Sequence, residues 1–285
     1  MPEILKASRR LAGDFHFLEA PKWRNGTLWV SDVFGHAVYA ISSGGKVREH
    51  CRVMARPAGQ DFLPDGRHIV VSATDGRLLD ITSGIPRAYA DLSKLAVGPL
   101  NDFAVDSVGR IFVGDFGYDY DAGEDPRPAR LYRVDTDGTV SVAMTDVHFP
   151  NGSVVSGGNS LLVNETWIGR ILSFDLSPDG RLSNRRVFAD VAPRQPDGMC
   201  LDAEGAVWVG SFGTGEFLRV KEGGEITHIV QFSGAAISCT LGGPDGKTLF
   251  MTTFEGPHTE INTGVRRSSV YSVDVAVPAA SYQGP

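Results

Sequence analysis

The chain has little cysteine, no long apolar run and no excess of basic charge, and each lack removes a class of protein. Three cysteines in 285 residues, Cys51, Cys200 and Cys239, are odd in number and form no close pair, so a disulfide framework is not expected. No stretch approaches the roughly 18 apolar residues needed to span a bilayer, so no membrane partner is expected. Met1 to Gly13 is polar, carries Lys6, Arg9 and Arg10, and lacks the apolar stretch of an export signal, which makes the cytoplasm the expected location. A net charge of -7 argues against a nucleic-acid partner. Long stretches with apolar spacing of three and four are also missing, which excludes helical repeats. No Gly-x-Ser-x-Gly elbow is present, which disfavours a serine hydrolase.

What is abundant is turn chemistry: 34 Gly and 16 Pro, set between short apolar strands. One pattern is written six times. Its clearest copy, Gln195-Pro-Asp-Gly-Met-Cys-Leu-Asp-Ala-Glu-Gly-Ala-Val-Trp-Val-Gly210, reads as strand, tight turn, strand. The copies are anchored by Leu28-Trp-Val, Ile69-Val-Val, Ile111-Phe-Val, Leu161-Leu-Val, Val207-Trp-Val and Leu249-Phe-Met, at steps of 41, 42, 50, 46 and 42 residues. A period in the forties with this grammar predicts an all-β, six-bladed β-propeller of four-stranded antiparallel blades, filling residues 1–285 as one domain. The last blade shows no fourth strand of its own, so Ile4 to Leu11 is predicted to complete it and close the ring. A closed ring removes the easiest route to sheet-mediated association, which leaves a monomer or a weak homo-oligomer as the expectation.

The repeat gives a way to find a site. Counting ten residues back from each anchor gives Gly59, Asn101, Asn151, Asp197 and Cys239, and nine back in the first copy gives Glu19. Equivalent positions in a propeller ring the channel at one mouth. Two carboxylates and two amides converging there call for a cation or a proton to offset the repulsion. An oxygen-only shell without His or Cys favours Ca²⁺, Mg²⁺ or Mn²⁺ over a structural Zn²⁺, and Ca²⁺ suits irregular geometry best. The competing account is that these polar residues simply cap the channel through water-bridged hydrogen bonds.

Around this set, Phe116, Tyr118, Trp167, Phe212 and Phe254 follow second strands, either lining the mouth or packing between blades. The long insertion Asp119 to Pro128 is placed to cover a site, although its acidic run lacks the bidentate acid of a helix-loop-helix calcium loop, since Arg130 stands there. His148 is either an acid/base or oxyanion partner or a structural residue at the channel edge. Glu165 is read as an acid supporting the mouth from behind.

The pieces Leu18-Glu-Ala-Pro-Lys-Trp23, Asn101-Asp-Phe-Ala-Val-Asp106, Pro150-Asn-Gly152, Asn164-Glu-Thr166, Pro196-Asp-Gly-Met-Cys-Leu-Asp-Ala-Glu-Gly205 and Cys239-Thr-Leu-Gly-Gly243 together resemble the senescence-marker-protein/gluconolactonase, or regucalcin-like, family. The resemblance implies one divalent metal ion in the channel, most simply Ca²⁺ with Mn²⁺, Mg²⁺ or Zn²⁺ as options, held by Glu19, Asn151 and Asp197. It further implies that Asp197 is the general base, and that Asn101 contacts substrate or metal. The implied activity is metal-dependent hydrolysis of a small-molecule lactone or related ester. Substrate-binding positions are then Asn101, Tyr118, His148 and Trp167. Pro99 stands where sugar-lactone members of the family carry an Arg that touches sugar hydroxyls, which points to a less polar lactone, an aryl ester or another carbonyl compound. A metal-dependent isomerase, a phosphotriesterase and a non-catalytic, metal-stabilised binding platform remain open on the same site.

Overall fold

The computed structural model describes residues 1–7 and 9–280. Six sheets, each with four antiparallel strands, stand around a common channel with the first strand of each innermost. The inner strands are Leu18–Arg24, Pro57–Phe62, Leu100–Val105, Pro150–Ser156, Pro196–Leu201 and Ala235–Gly242. The anchor triplets form the second strands and are almost wholly buried, as Ile111, Val113, Leu161, Val163, Val207 and Val209 illustrate. They are buried because both faces of a blade are covered by neighbouring blades, so apolar residues run continuously rather than alternating. The only helical element among the described residues is a 3-10 turn at His258–Glu260, and no helix is long and apolar enough to cross a membrane.

Ring closure uses the N-terminal segment, but not in the predicted register. Arg9–Phe15 pairs antiparallel with Ser268–Asp274 and completes the sixth blade, several residues later than Ile4 to Leu11. Glu3–Leu5 instead pairs parallel with Ile226–Gln231, giving the fifth blade a fifth strand. The physical reason lies in which residues can be buried on the sixth blade. Leu11 and Phe15 enter the core between blades six and one, whereas Ile4 stays exposed.

Every inner strand carries a register shift near its channel-facing start, between Glu19 and Lys22, Pro57 and Gln60, Leu100 and Phe103, Pro150 and Ser153, Pro196 and Met199, and Ala236 and Ser238. Such bulges turn a side chain out of the regular pleat and are common beside functional sites. Glycines follow the candidate residues for a packing reason. A Cβ at Gly152 would lie 2.5 Å from the Asp197 carbonyl oxygen, and one at Gly198 would meet the Ser238 side chain at 1.9 Å. Only glycine lets adjacent inner strands approach this closely.

In the second blade His68 is 2% exposed, donates a 2.8 Å hydrogen bond from Nε2 to Gln60 Oε1 and stacks on Phe62 at 4.1 Å. Burial, followed by the repulsion of His50, pushes its pKa down to about 3. Above the ordinary imidazole value both folded and unfolded chains hold it neutral. As the pH falls below that value the unfolded chain takes up a proton that the folded chain refuses, so stability is lost. Urea unfolding at about pH 7.5 and about pH 5 should therefore show wild type losing up to roughly 2 kcal/mol more than His68→Phe over that interval. Equal losses in the two proteins would remove this account of His68.

Candidate active site

On one side of the ring the channel opens into a cavity of about 330 Å³. Its floor holds Glu19, Asn101, Asn151 and Asp197, from blades one, three, four and five, so the four oxygen-bearing residues counted from the repeat do meet. Asn101, Asn151 and Asp197 are buried, and Glu19 is partly buried. The count misses in two blades. In blade two Ala58, rather than Gly59, lines the cavity, and in blade six Cys239 lies in a small void further along the channel. Fixed spacing cannot anticipate this, because the bulges do not fall at the same distance from the anchor in every blade.

Asp197 is held by its main chain. Thr166 Oγ1 donates to the Pro196 carbonyl at 2.9 Å, and Asn164 Nδ2 donates to the Asp197 carbonyl, so the end of blade four clamps the start of blade five. One of its carboxylate oxygens is left free: Asp197 Oδ1 is buried without a hydrogen-bond partner, as is Glu19 Oε2. The two amides are spent the other way. Asn101 Nδ2 donates to the Pro150 carbonyl at 3.0 Å and Asn151 Nδ2 to Thr166 Oγ1 at 3.3 Å, which leaves their amide oxygens as the atoms available to a ligand. Beside Glu19 stands Ala20 at φ 44°, in the left-handed region that favours glycine, with its backbone N–H contributing to Glu19.

The electrostatics are one-sided. Burial, then repulsion from Asp197 and Asp102, holds the Glu19 pKa well above the ordinary carboxylate range. Burial, then repulsion from Asp102, does the same to Asp197, with a side-chain contact from Asn151 working against it. Asp102, which the repeat count does not select, is a third carboxylate in the group. Burial pushes it up to about 6 despite the pull of Lys22. That lysine is engaged elsewhere, 2.8 Å from Asp61. Among the described residues no three His, Cys, Asp or Glu side chains are grouped so as to hold an ion by themselves. The floor becomes a donor set only when the two amide oxygens are counted with the carboxylates. Unpartnered buried carboxylate oxygens, free amide oxygens and no spare cation fit a hard divalent ion.

The walls are aromatic. Of the two roles open to them in the sequence, Phe116, Trp167 and Phe212 take that of lining the cavity, joined by Phe17, Phe34, Tyr120 and Phe149. Tyr118 and His148 do not line it. Tyr118 is buried behind Trp167 and accepts a 2.9 Å hydrogen bond from the indole Nε1, and His148 faces Asp146 at 3.6 Å. Phe254 is fully buried against Phe17, a packing role. Glu165 is consumed by structure, receiving the His148 backbone N–H and pairing with Arg170 and Arg185. The Asp119 to Pro128 insertion reaches the cavity through Tyr120 and Asp121, and Asp121 pairs with Arg56 from blade two.

A six-bladed ring with a carboxylate-and-amide cluster at the base of an aromatic cavity is a propeller with a cavity of small-molecule size at the channel mouth. The chain belongs to the SMP-30/gluconolactonase/LRE-like family, whose model matches residues 17–255. It is 28% identical over 244 residues to regucalcin of Danio rerio, with 82% of each chain covered. Over 187 residues it is 29% identical to pentonolactonase XacC of Haloferax volcanii, covering 62% of each. In structure it superposes on a calcium-binding protein, regucalcin, of Agrobacterium tumefaciens with a TM-score of 0.82 at 20% identity, covering 98% of this chain and 97% of that one.

Proposed function

We propose that this chain is a divalent-cation-dependent lactonase. The observation that carries the reading is the pair of buried, unpartnered oxygens, Glu19 Oε2 and Asp197 Oδ1, at the base of a cavity wide enough for a small cyclic ester. Membership of the SMP-30/gluconolactonase/LRE-like family and similarity to a pentonolactonase support the reaction class. Glu19, Asn151 and Asp197 would hold the ion, with Asn101 beside them, and Ca²⁺ is the ion this oxygen set suits best. When bound, the cation supplies positive charge that polarises an ester carbonyl and acidifies water.

The residues then divide the work. Asp197, with one carboxylate oxygen free, takes a proton from the attacking water. The water oxygen bonds to the carbonyl carbon, the acyl carbon–ring oxygen bond breaks, and the proton passes to the departing ring oxygen, leaving a hydroxy acid. Asn101 and Asn151, fixed by the Pro150 carbonyl and Thr166, keep their amide oxygens turned to the floor and would hold the ligand shell in place. Aromatic walls exclude bulk water and strengthen each polar contact at the floor.

Hydrolysis of a panel of small lactones by chelated protein, before and after adding Ca²⁺, Mn²⁺, Mg²⁺ or Zn²⁺, tests this. Turnover that returns with a cation is the expected result. A cation that raises the melting temperature yet restores no turnover on any lactone would keep the ion site and remove the lactonase.

A further inference from the structure

We propose that the site takes a neutral lactone bearing a flat apolar substituent, an aryl group above all, in preference to a polyhydroxylated sugar lactone. This inference rests on the lactone-opening reading and names its substrate class. One wall is a continuous aromatic surface: Phe116 stacks on Phe149 at 4.4 Å with planes 8° apart, Phe149 meets Trp167 at 4.9 Å, and Tyr120 lies over Trp167 at 6.0 Å. The lining is completed by Phe17, Phe34, Ile261 and Phe212, with His258 4.4 Å from Phe212 and also lining the cavity. Trp167 is 37% exposed and Tyr120 53% exposed, an unusual amount of aromatic surface to leave open at a mouth.

Several polar groups around the mouth are committed, although His258, Thr259 and Asn262 also line the cavity. Thr166 Oγ1 donates to Pro196, Thr74 Oγ1 to the Ala55 carbonyl at 3.2 Å, and Arg56 and Asp121 hold one another. A sugar lactone brings several hydroxyls, each needing a partner once water is displaced. The floor offers acceptor oxygens to the proposed ion, but the aromatic wall would leave ring hydroxyls facing carbon. An aryl group meets the opposite situation, gaining buried area and ring contacts.

Backbone strain points the same way. Phe149 sits at φ 51° and Arg56 at φ 65°, in the left-handed region that bulky residues avoid, each immediately before a proline that opens an inner strand. Strain of this kind persists where surrounding structure enforces it and clusters at ligand sites. Here it turns the Phe149 ring into the cavity and brings Arg56 to Asp121.

The test uses three five-membered lactones with secondary alkoxide leaving groups: γ-phenyl-γ-butyrolactone, γ-valerolactone and xylono-γ-lactone, assayed with excess Ca²⁺. The phenyl compound should exceed both others in kcat/KM by about 10- to 100-fold, chiefly through KM. Trp167→Ala, at a position open enough to tolerate truncation, and Phe149→Leu should each lower the phenyl-to-methyl ratio several-fold. Calorimetric binding of 3-phenylcyclopentanone against cyclopentanone, neither of which can be hydrolysed, separates the two readings. Turnover of the sugar lactone equal to or above the phenyl lactone overturns the substrate class while the lactonase stands. No turnover of any lactone, with the phenyl ketone bound about tenfold more tightly, removes the lactonase and supports the apolar pocket. No preference in either assay overturns the inference.

Discussion

Replacing Asp197 with alanine is expected to lower kcat/KM on any lactone this protein opens by roughly 10³- to 10⁴-fold, with the fold intact. On the proposed reading the residue has two roles, ion ligand and base. Its carboxylate lines the cavity and its buried Oδ1 has no partner, which leaves that oxygen for the proposed ion or water. Its main chain is pinned by Asn164 and by the Thr166 bond to the preceding residue. Those clamps act on backbone carbonyls and survive the substitution, so lost activity would not reflect a displaced strand. Asp197→Asn separates the roles. An amide oxygen remains for the ion, as at Asn151, but no group is left to accept the proton. That variant should keep a reduced thermal response to Ca²⁺ and still lose about 10²-fold or more in turnover. Asn101→Ala, by contrast, should act mainly on KM. Steady-state rates at saturating cation, with melting curves for each variant, decide the matter; an Asp197→Ala enzyme within a few-fold of wild type would end the assignment.

Legibility of this site in the sequence followed its regularity. The floor set could be counted because second strands buried on both faces repeat as apolar triplets, and a fixed hairpin separates each from its inner strand. Glu19, Asn101, Asn151 and Asp197 come together for that reason. Where the hairpin departs from the common spacing, the count slips, as at Gly59 and Cys239. Asp102 escaped because alternation along a regular strand places it on the face opposite Asn101, whereas the bulge between Leu100 and Phe103 abolishes that alternation. The walls were legible only in part. Phe116 and Tyr120 face the cavity while Tyr118 turns behind Trp167, in a loop where no strand period fixes direction. Phe149 gave no signal at all: it precedes an inner strand, and its inward turn depends on a positive φ that residue type would not suggest. His148, next to it, was the more conspicuous residue chemically and points away.

Glu19→Gln should reverse its effect on stability according to whether a cation is present. Without one, the ionised Glu19 carboxylate is a liability, desolvated and repelled by Asp197 and Asp102. Glutamine keeps the shape and removes the charge, so in chelator near neutral pH the variant should be more stable than wild type by about 1–3 kcal/mol. The sign with pH follows from the raised folded value. Below the ordinary glutamate value of 4.5 both states of the wild type are protonated and no penalty exists. As the pH rises through that value the unfolded chain ionises first, and wild type loses stability that the variant keeps. The difference between the two proteins in chelator should thus shrink toward zero on acidification. Saturating Ca²⁺ inverts the order. An ion present at 100 times its dissociation constant adds about 2.7 kcal/mol to wild type, and the variant, short of one charge in its ligand set, gains much less. Scanning calorimetry of both proteins in chelator and in Ca²⁺ reads all of this without any assay of activity. If wild type is the more stable protein in chelator and both gain equally from Ca²⁺, Glu19 is not an ion ligand, and the floor is better described as a hydrogen-bonded cap on the channel.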